Sequence, residues 1–451
     1  MTPGNAPPRD LPPYDLLGVG FGPSNLALAI ALDERARRTG AGFRYRFLER
    51  QAGFTWHGGM LLPGSDMQIC FLKDLVTLRD PTSPLTFVNY LHGQGRLQDF
   101  INLRTFYPSR VEFNDYLRWV ADRFADRCAY GETVLAVEPE PAVDGRVEVL
   151  RVSTRDASGD IVERRTRNLV VAAGGTAHVP EVFGQAARDG RVFHSSAYLD
   201  RVSTDRAALG LDAEGARVAV VGGGQSAAEI SHDLHARFPR LCIDLVFRGH
   251  ALKPSDSSPF VNEIFNPAYT DFVYAQPEER RDAIVRTFRN TNYAVVDADL
   301  LAALYAILYQ QKIGGLERLR LRPRHEIVGV ASARDGIVLA THDRFSATDA
   351  VGTYACVILA TGYDRSAHAP FLDPIAAYRT GDTVERDYKA PTVPGFAPGI
   401  YLQGYSEFSH GLSDTLLSVV ATRSQDIVDS LFRNADARSR GLTSMSHGVS
   451  L

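Results

Sequence analysis

Two glycine-rich turns are the residues of this sequence best suited to chemistry, because each could bring the backbone close to a phosphate group. The first follows the apolar run 16–19 and the second follows the apolar run 218–221, and an apolar helix-like segment comes after each. Glycine permits close approach to a pyrophosphate, and a helix N-terminus offers unpaired N–H groups and partial positive charge. The pattern predicts two dinucleotide sites and a redox reaction between two cofactors. The expected contacts are Gly18, Gly20, Gly22, Pro23 and Ser24 in the first turn, and Gly222, Gly224, Gln225 and Ser226 in the second.

The residues that follow the next strand of each unit distinguish the two dinucleotides. After the first turn, the run 43–49 ends in Glu49, and a carboxylate there suits the unmodified ribose of FAD or NAD. After the second turn, the run 243–247 ends in Arg248, which suits a 2′-phosphate and favours NADPH over NADH. The first turn departs from the usual pattern, since Asn25 stands where a third glycine is expected.

Composition limits the classes of function. A chain of 451 residues predicts two or three domains. The net charge is −4 and we find no dense basic stretch, so nucleic acid is not an expected partner. No apolar segment approaches the roughly 20 residues that cross a bilayer, and no signal peptide is evident, so we expect a soluble cytoplasmic protein.

The four cysteines stand alone in the sequence, without a C-x-x-C pair. This spacing argues against structural zinc and against the disulfide reductases that also bind two dinucleotides. We therefore expect no metal, and we expect the electrons of a flavin to pass to something other than a protein disulfide.

Alternating strands and helices predict an α/β fold with parallel sheets, organised as two Rossmann-like dinucleotide-binding domains. The first domain is expected over 14–210 and the second over 215–350. The segment 351–433 is expected to return to the first domain, through the apolar strand 356–359 that ends near Gly362 beside a nucleotide. Residues 1–13 and 434–451 are expected to be flexible tails.

Several longer blocks resemble a known family, the flavin-dependent N-hydroxylating monooxygenases. The blocks are MQICFLKDL at 67–75, DPTSP at 80–84, the ten residues from Asp256 to Phe265, NTNY at 290–293 and HGLSDTLLS at 410–418. Within that group the sequence is most similar to the L-ornithine N5-monooxygenases of siderophore biosynthesis. The resemblance extends from about residue 14 to 431. Lysine N6-hydroxylases and diamine N-hydroxylases, which act on putrescine or cadaverine, remain alternatives.

The resemblance implies a reaction in which NADPH reduces FAD and oxygen adds to the flavin as a 4a-hydroperoxide. The side-chain amine of L-ornithine then takes the distal oxygen and becomes N5-hydroxyornithine. It also implies a small, mostly helical substrate-binding region at about 252–315 and a homo-oligomer, a tetramer. An NADPH-linked flavoprotein that does not oxygenate anything is the alternative from another functional class.

The resemblance also assigns roles to residues of the substrate pocket. Gln68 is expected beside the isoalloxazine, and Lys73 and Asn262 are expected to grip the amino-acid head of the substrate. Asn292 would add bonds to that head, and Gln68, Lys73 and Asn292 form the expected catalytic set. Ser413 is expected to contact substrate at the start of a helix through 416–420. Each of four residues also has a purely structural alternative. Gln68 could be a polar residue at a strand end and Lys73 a surface lysine. Asn292 could be a turn or helix-cap asparagine, and Ser413 an N-cap serine.

The remaining expected cofactor contacts come from the same resemblance. Arg110 matches an arginine near NADPH, although an isolated arginine is more often a solvated surface residue. Trp56 and His57 are expected to pack against the flavin, with an aromatic core as the alternative. Leu412 lies in the HGLSD block, whose positive helix end would face the flavin pyrimidine.

Overall fold

The computed structural model describes residues 12–40, 42–142, 145–366, 368–381 and 383–446. The β-strands are β1 (Leu16–Val19), β2 (Tyr45–Glu49), β3 (Cys128–Tyr130), β4 (Thr133–Pro141), β5 (Val147–Arg155), β6 (Ile161–Thr166), β7 (Asn168–Val171), β8 (Thr176–Ala177), β9 (Val192–His194), β10 (Arg217–Val221), β11 (Cys242–Phe247), β12 (Leu319–Pro323), β13 (His325–Ala333), β14 (Gly336–Asp343), β15 (Thr348–Tyr354), β16 (Cys356–Leu359), β17 (Tyr363–Asp364) and β18 (Gly399–Leu402). The α-helices are α1 (Pro23–Thr39), α2 (Phe87–Gly93), α3 (Leu97–Leu103), α4 (Arg110–Asp122), α5 (Tyr198–Thr204), α6 (Gln225–Arg237), α7 (Pro259–Asn262), α8 (Pro267–Tyr274), α9 (Glu278–Phe288), α10 (Ala298–Gly314), α11 (Ala369–Leu372), α12 (Glu407–His410) and α13 (Val420–Ser446).

The first parallel sheet has the strand order β18-β7-β1-β2-β3. Its central strand β1 is buried along its length, and helix α1 follows it directly. One face of the sheet packs against α1, α4 and α13 through a large core that includes Leu26, Phe47 and Ile427. Because α1 starts where β1 ends, the first glycine turn lies at the carboxyl edge of this sheet, where dinucleotides bind in such folds.

The second parallel sheet has the strand order β12-β11-β10-β16-β9, and helix α6 follows its central strand β10. The second glycine turn therefore occupies the same place as the first. Two parallel sheets, each with a strand–turn–helix unit at its centre, confirm the predicted α/β class.

The expected domain limits are wrong at two strands. The sequence predicts Val192–His194 in the first domain and Cys356–Leu359 in the return to it, but both strands pair in the second sheet. Side chains of alternate residues in these strands pack into the two cores on either face of β10. A short apolar run does not reveal which sheet accepts it, because both sheets bury their strands on both faces.

Each of the two parallel sheets has a smaller antiparallel sheet inserted between its strands in the sequence. Strands β4-β5-β6 form one and β13-β14-β15 another. The two-stranded pair β8–β17 lies where the chain leaves the first sheet and where it leaves the second. Helices α7–α10 span the region where the sequence predicts a helical insert, and α8 and α9 contact α12.

The chain termini differ in part from expectation. The expected N-terminal tail lies outside the described residues up to position 11, and the last five positions of the expected C-terminal tail also lie outside them. Between these limits, where the sequence predicts a flexible tail from residue 434, the structure continues α13 to Ser446. A helix already packed through Ile427 and Leu431 extends at little further cost, because nucleation is its expensive step. None of the helices in the described part combines the length and apolar character needed to cross a membrane.

Candidate functional site

The first glycine turn has the geometry of a phosphate cradle. Gly20 adopts φ +82°, and a Cβ there would lie 2.5 Å from the carbonyl oxygen of Ala172, so only glycine fits without displacement. Gly22 is the N-cap of α1, and a Cβ there would meet nothing within 4 Å. Pro23 occupies the first turn of α1, where its missing N–H costs no helical hydrogen bond. The open space at Gly22, beside the amides of a long buried helix, fits a pyrophosphate.

Asn25 takes over the role of the missing third glycine. Its Nδ2 donates to the carbonyl oxygens of Gly20 at 2.7 Å and Val19 at 3.2 Å, and its Oδ1 accepts from Gln403 Nε2 at 2.9 Å. The side chain is completely buried and ties the turn to the end of β18. The departure from the glycine pattern therefore stabilises the turn instead of weakening it. Gly18 is needed for packing, since a Cβ there would lie 2.3 Å from Phe47 Cδ1.

Glu49 lies at the end of β2, directly beside the first turn. Its Oε2 accepts from the backbone N–H of Phe21 at 2.7 Å, and its Oε1 accepts from that of Gln51 at 2.9 Å. The residue is buried, so these bonds fix the carboxylate in one orientation. Each carboxylate oxygen can still accept a second hydrogen bond, as a ribose diol requires.

The second turn repeats the first. Gly222 adopts φ +147°, and a Cβ there would lie 2.2 Å from the carbonyl oxygen of Ala360, the residue after β16. Gly20 stands in the same relation to Ala172, the residue after β7. Gly224 is the N-cap of α6, as Gly22 is of α1. Each unit thus presses its glycine against the end of the neighbouring strand. The N-caps differ in their surroundings, since a Cβ at Gly22 would meet nothing within 4 Å and one at Gly224 would lie 3.6 Å from the Ala294 backbone.

The residues around the second turn differ in their burial and in the hydrogen bonds that they make. Arg248 follows β11 and is exposed, and its guanidinium makes no hydrogen bond or ion pair with the residues described. Ser226 is half-buried in the first turn of α6. Gln225 is held by Asp297, because its Oε1 accepts from the Asp297 backbone N–H at 2.9 Å. Gly362 adopts φ +82° beyond β16, and its carbonyl oxygen hydrogen-bonds to His194 Nε2 at 2.9 Å.

Arg110 connects the two halves of the molecule, by which we mean the parts built on the first and on the second parallel sheet. It begins α4 on the first half and forms a bidentate ion pair with Glu229 of α6, at 2.7 Å and 3.0 Å. Arg110, which the sequence predicts to contact a nicotinamide dinucleotide, therefore already has a carboxylate partner in Glu229.

Gln68 and Lys73 lie in the irregular segment between β2 and α2. Gln68 is exposed and Lys73 is half-buried. Burial lowers the pKa of Lys73, with the Cys70 thiol acting in the opposite direction. No described residue pairs with the Lys73 ammonium. A half-buried cation without a counter-charge is costly, and a carboxylate ligand would relieve that cost.

Trp56 and His57 form an aromatic pair earlier in the same segment. Their ring centroids lie 4.8 Å apart, and the Trp56 backbone N–H donates to Asn114 Oδ1 at 2.8 Å. His57 adopts φ +53° and lies 6.1 Å from the ring of Tyr363. The His57 ring is exposed, yet the surrounding protein and the cations Arg110 and Arg365 lower its pKa, which favours the neutral ring.

The expected substrate residues of the helical region and of the HGLSD block lie on facing elements. Asn262 ends α7, and its Nδ2 donates to the carbonyl oxygen of Ser257 at 2.9 Å. Asn292 follows a short 3₁₀ turn after α9. Ser413 is buried with its Oγ 3.4 Å from Thr270 Oγ1 of α8, and Leu412 is buried beside it. Among the residues described, the side chains of Gln68, Lys73, Asn262 and Asn292 make no hydrogen bonds with one another.

The expected position of Ser413 at the start of a long helix is wrong. Ser413 lies in the 3₁₀ turn Leu412–Thr415, and α13 begins at Val420. Gly411 at φ +85° and Leu416 in an extended conformation separate the turn from the elements on either side. The N-terminal end of α13 is therefore not at Ser413.

Two buried contacts near these residues were missed by sequence reasoning. Tyr293, directly after Asn292, donates its hydroxyl to Glu407 of α12, and burial raises the pKa of both groups. Arg423 is almost completely buried, pairs with Asp414 at 2.9 Å and donates to Ser24 Oγ at 2.8 Å. The signal for the second contact was present, since Arg423 follows the largely apolar run 416–421 and an arginine buried among apolar residues is seldom unpaired.

Comparison with known proteins agrees with this arrangement. The sequence profile of the family described as L-lysine 6-monooxygenase/L-ornithine 5-monooxygenase matches residues 12–365. The L-ornithine N(5)-monooxygenase of Burkholderia cepacia is 51% identical over 405 residues, which cover 88% of this chain and 90% of that protein. The solved ornithine hydroxylase of Pseudomonas aeruginosa is 48% identical with a TM-score of 0.89, covering 94% of this chain and 99% of that chain.

A third relative is an ornithine N-hydroxylase of Kutzneria sp. 744, described as a complex with reduced FAD, NADP⁺ and L-ornithine. It is 37% identical with a TM-score of 0.87, and the match covers 94% of this chain and all of that chain. The family resemblance predicted from the sequence is confirmed by these matches. The chain therefore belongs to the L-lysine 6-monooxygenase/L-ornithine 5-monooxygenase family.

Proposed function

We propose that this protein is an FAD- and NADPH-dependent monooxygenase that hydroxylates the side-chain amine of L-ornithine to N5-hydroxyornithine. The product would enter a hydroxamate siderophore or a related natural product. The observation that carries the proposal is the pair of equivalent glycine turns, one followed by Glu49 and the other by Arg248, in a chain so similar to ornithine hydroxylases.

The two dinucleotides would be held by different chemical groups. For FAD, the amides at the start of α1 and the space over Gly22 would take the pyrophosphate, and Glu49 would accept from the ribose hydroxyls. For NADPH, the start of α6 at Gln225 and Ser226 would take the pyrophosphate, and Arg248 would pair with the 2′-phosphate. When bound, the reduced flavin supplies the activated oxygen for the reaction.

The residues of this chain would position the amine and keep its surroundings dry. The Lys73 ammonium would bind the substrate carboxylate, which places the amine at a fixed distance from that anchor. Asn262 and Asn292 would add hydrogen bonds to the amino-acid head of the substrate, and Gln68 would bond the edge of the flavin. Buried Ser413 and Leu412 would close the pocket against water.

The test compares four amines: L-ornithine, L-lysine, putrescine and cadaverine. Purified protein loaded with FAD is assayed for NADPH oxidation, oxygen uptake and hydroxylamine formation with each. We expect stoichiometric hydroxylamine from ornithine alone. Hydroxylamine mainly from lysine or a diamine would contradict the substrate assignment. NADPH oxidation that yields only hydrogen peroxide with every amine would contradict the monooxygenase itself.

We also propose that the protein is a cytoplasmic homotetramer. Exposed apolar side chains on helix α10, Tyr305, Tyr309 and Ile313, recur at helical spacing on one face and support association of subunits. Light scattering coupled to size-exclusion chromatography is expected to give the mass of four chains. A monomer at micromolar concentrations would contradict the assembly without affecting the proposed reaction.

A further inference from the structure

A buried ion pair and its neighbours join the second glycine turn to the first half of the molecule. Arg110 starts α4, and its side chain is 14% exposed, while the Glu229 side chain on α6 is 6% exposed. Arg110 Nη2 donates to Glu229 Oε1 at 2.7 Å, and Nη1 donates to Glu229 Oε2 at 3.0 Å and to the carbonyl oxygen of Met60 at 3.1 Å. This planar, two-pronged geometry fixes the guanidinium in a single orientation.

The same carboxylate also holds the helix that follows the glycine turn. Glu229 Oε1 accepts from Gln225 Nε2 at 2.9 Å, one helical turn nearer to Gly224. The Gln225 amide is fixed in turn by Asp297, which accepts from Nε2 at 3.0 Å and donates its backbone N–H to Oε1. The network therefore connects α4, α6 and the start of α10 through one carboxylate.

The donors of Arg110 are only partly used by these contacts. A guanidinium has five N–H groups, and the network uses both on Nη1 and one on Nη2. The Nε–H and the second Nη2–H make no hydrogen bond with the residues described. Arg110 also lies close enough to His57 to lower the pKa of that ring. The guanidinium itself therefore lies between Met60 of the first half of the molecule and the helix of the second glycine turn, with two donors left for a ligand.

We propose that Glu229 is a positioning residue, which orients Arg110 toward the nicotinamide dinucleotide and acts with it as one unit in binding that cofactor. The inference rests on the proposed function, because it requires a dinucleotide phosphate or ribose at the second turn. Glu229 itself does not touch the dinucleotide.

Removal of Arg110 should weaken dinucleotide binding by an electrostatic effect, in addition to the loss of a hydrogen-bond donor. Glu229 lies about 6 Å along α6 from Gln225, the first residue of the helix, by the helical rise. If Arg110 is removed, a buried carboxylate remains unpaired beside the site where a polyanion must bind. The Arg110→Ala variant should therefore lose both a donor and the neutralisation of Glu229. Removing the charge of Glu229 in the same chain should restore part of that loss.

The experiment is a double-mutant cycle with four FAD-loaded proteins: wild type, Arg110→Ala, Glu229→Gln and the double variant. Isothermal titration with NADP⁺ gives the Kd, and anaerobic flavin reduction by NADPH gives a second Kd and a limiting rate. We expect Kd to rise about 100-fold in Arg110→Ala and about tenfold in Glu229→Gln. The double variant should bind about tenfold more tightly than Arg110→Ala. Glutamine matches glutamate in shape, so the comparison isolates the charge.

Two results would overturn the inference. One is additivity, in which the rise in Kd of the double variant equals the product of the two single effects. The other is an unchanged Kd in Glu229→Gln. If the wild type forms hydroxylamine but the cycle is additive, the inference alone fails. If NADPH does not reduce the flavin of the wild type, the proposed function fails as well.

A matched control is available within the chain. Arg164 and Glu132 form a second bidentate pair of similar burial, at 2.6 Å and 2.8 Å, on the antiparallel sheet of the first half. Arg164→Ala, Glu132→Gln and their double variant should lower the melting temperature and leave the Kd for NADP⁺ unchanged. An equal rise in Kd in these variants would indicate a general loss of structure and would overturn the specific role of Glu229.

Discussion

Alanine at two glycines of the first turn should separate the fold of the protein from its ability to hold FAD. At Gly20, a Cβ would lie 2.5 Å from the carbonyl oxygen of Ala172, where ordinary contact begins near 3.4 Å. Strands β1 and β7 would have to separate by most of an ångström. At Gly22, φ is −81° and a Cβ would meet nothing within 4 Å, so the chain itself should accept alanine.

The expected magnitudes follow from these geometries. Gly20→Ala should cost about 1–2 kcal/mol for the left-handed backbone and about 1–3 kcal/mol for overpacking. With about 2–4 °C lost per kcal/mol in a domain of this size, the melting temperature should fall by about 4–20 °C. Gly22→Ala should change it little, because the gain of about 0.4–1 kcal/mol from restricting the unfolded chain is offset by the poorer preference of alanine for an N-cap. The new methyl group should instead displace the pyrophosphate, and loss of a charged hydrogen bond of about 1.5–3 kcal/mol weakens FAD binding about tenfold to a hundredfold.

The assay measures the melting temperature without FAD, the flavin retained on purification and the Kd for added FAD. Gly40→Ala, at the C-terminal end of α1, is a control for backbone strain alone, since Gly40 adopts φ +66° with open space around it. This control should lower the melting temperature modestly and keep FAD. The reasoning would be refuted if Gly22→Ala bound FAD as tightly as the wild type, or if Gly20→Ala kept the melting temperature of the wild type.

Three further predictions concern single side chains. Arg248→Ala should raise the KM for NADPH about tenfold to a hundredfold and leave the KM for NADH unchanged, because a charged pair with the 2′-phosphate is lost. The control is Arg240→Ala, at an exposed arginine on the side of the second sheet. Equal effects of Arg248→Ala on both nucleotides would contradict the role of Arg248. Lys73→Met should raise the KM for L-ornithine about a hundredfold, while NADPH should still reduce the flavin at the wild-type rate. The control variant Lys312→Met should change neither quantity. Full hydroxylation by Lys73→Met at the wild-type KM would contradict the placement of Lys73 in the pocket. Burial lowers the pKa of His410 to about 4, below about 6.5 in the unfolded chain, so its contribution to stability is complete above about pH 6.5 and declines as the pH falls toward about 4. By about pH 5 the free energy of unfolding should be about 2 kcal/mol lower from this residue, and urea titration of His410→Asn should show a flatter pH dependence; an unchanged slope would contradict this assignment.

Local features of the sequence were sufficient to predict the parts of the fold that depend on neighbouring residues. Each glycine turn lies between a buried strand and a helix as predicted, because positive φ values and close backbone approach admit little besides glycine. Strand 43–49 and its terminal Glu49 were also predictable, since the helix and strand that follow the turn have strongly apolar patterns.

The errors concern interactions between distant residues. The sheet that accepts Cys356–Leu359 depends on pairing with β10 and β9, which a run of buried side chains does not reveal. The partner of Arg110 was unpredictable for the same reason, since Glu229 is far away in sequence and both residues look like ordinary charged helix residues. The break between Ser413 and α13 depends on the extended backbone at Leu416, a residue whose type does not mark the end of a turn.

The equivalence of the two turns implies that side chains, and not backbone geometry, decide which dinucleotide each half accepts. Both turns press a glycine against the end of a neighbouring strand and place a glycine at the N-cap of the following helix, so both share the backbone geometry that would receive a pyrophosphate. Glu49 is buried and held by two backbone N–H groups, so a 2′-phosphate at the first turn would meet a negative charge that cannot turn away. Arg248 is exposed, so its guanidinium would be free to reorient toward such a phosphate at the second turn. Selectivity by one fixed anion and one adaptable cation would let a single chain bind two similar cofactors at once without exchanging them.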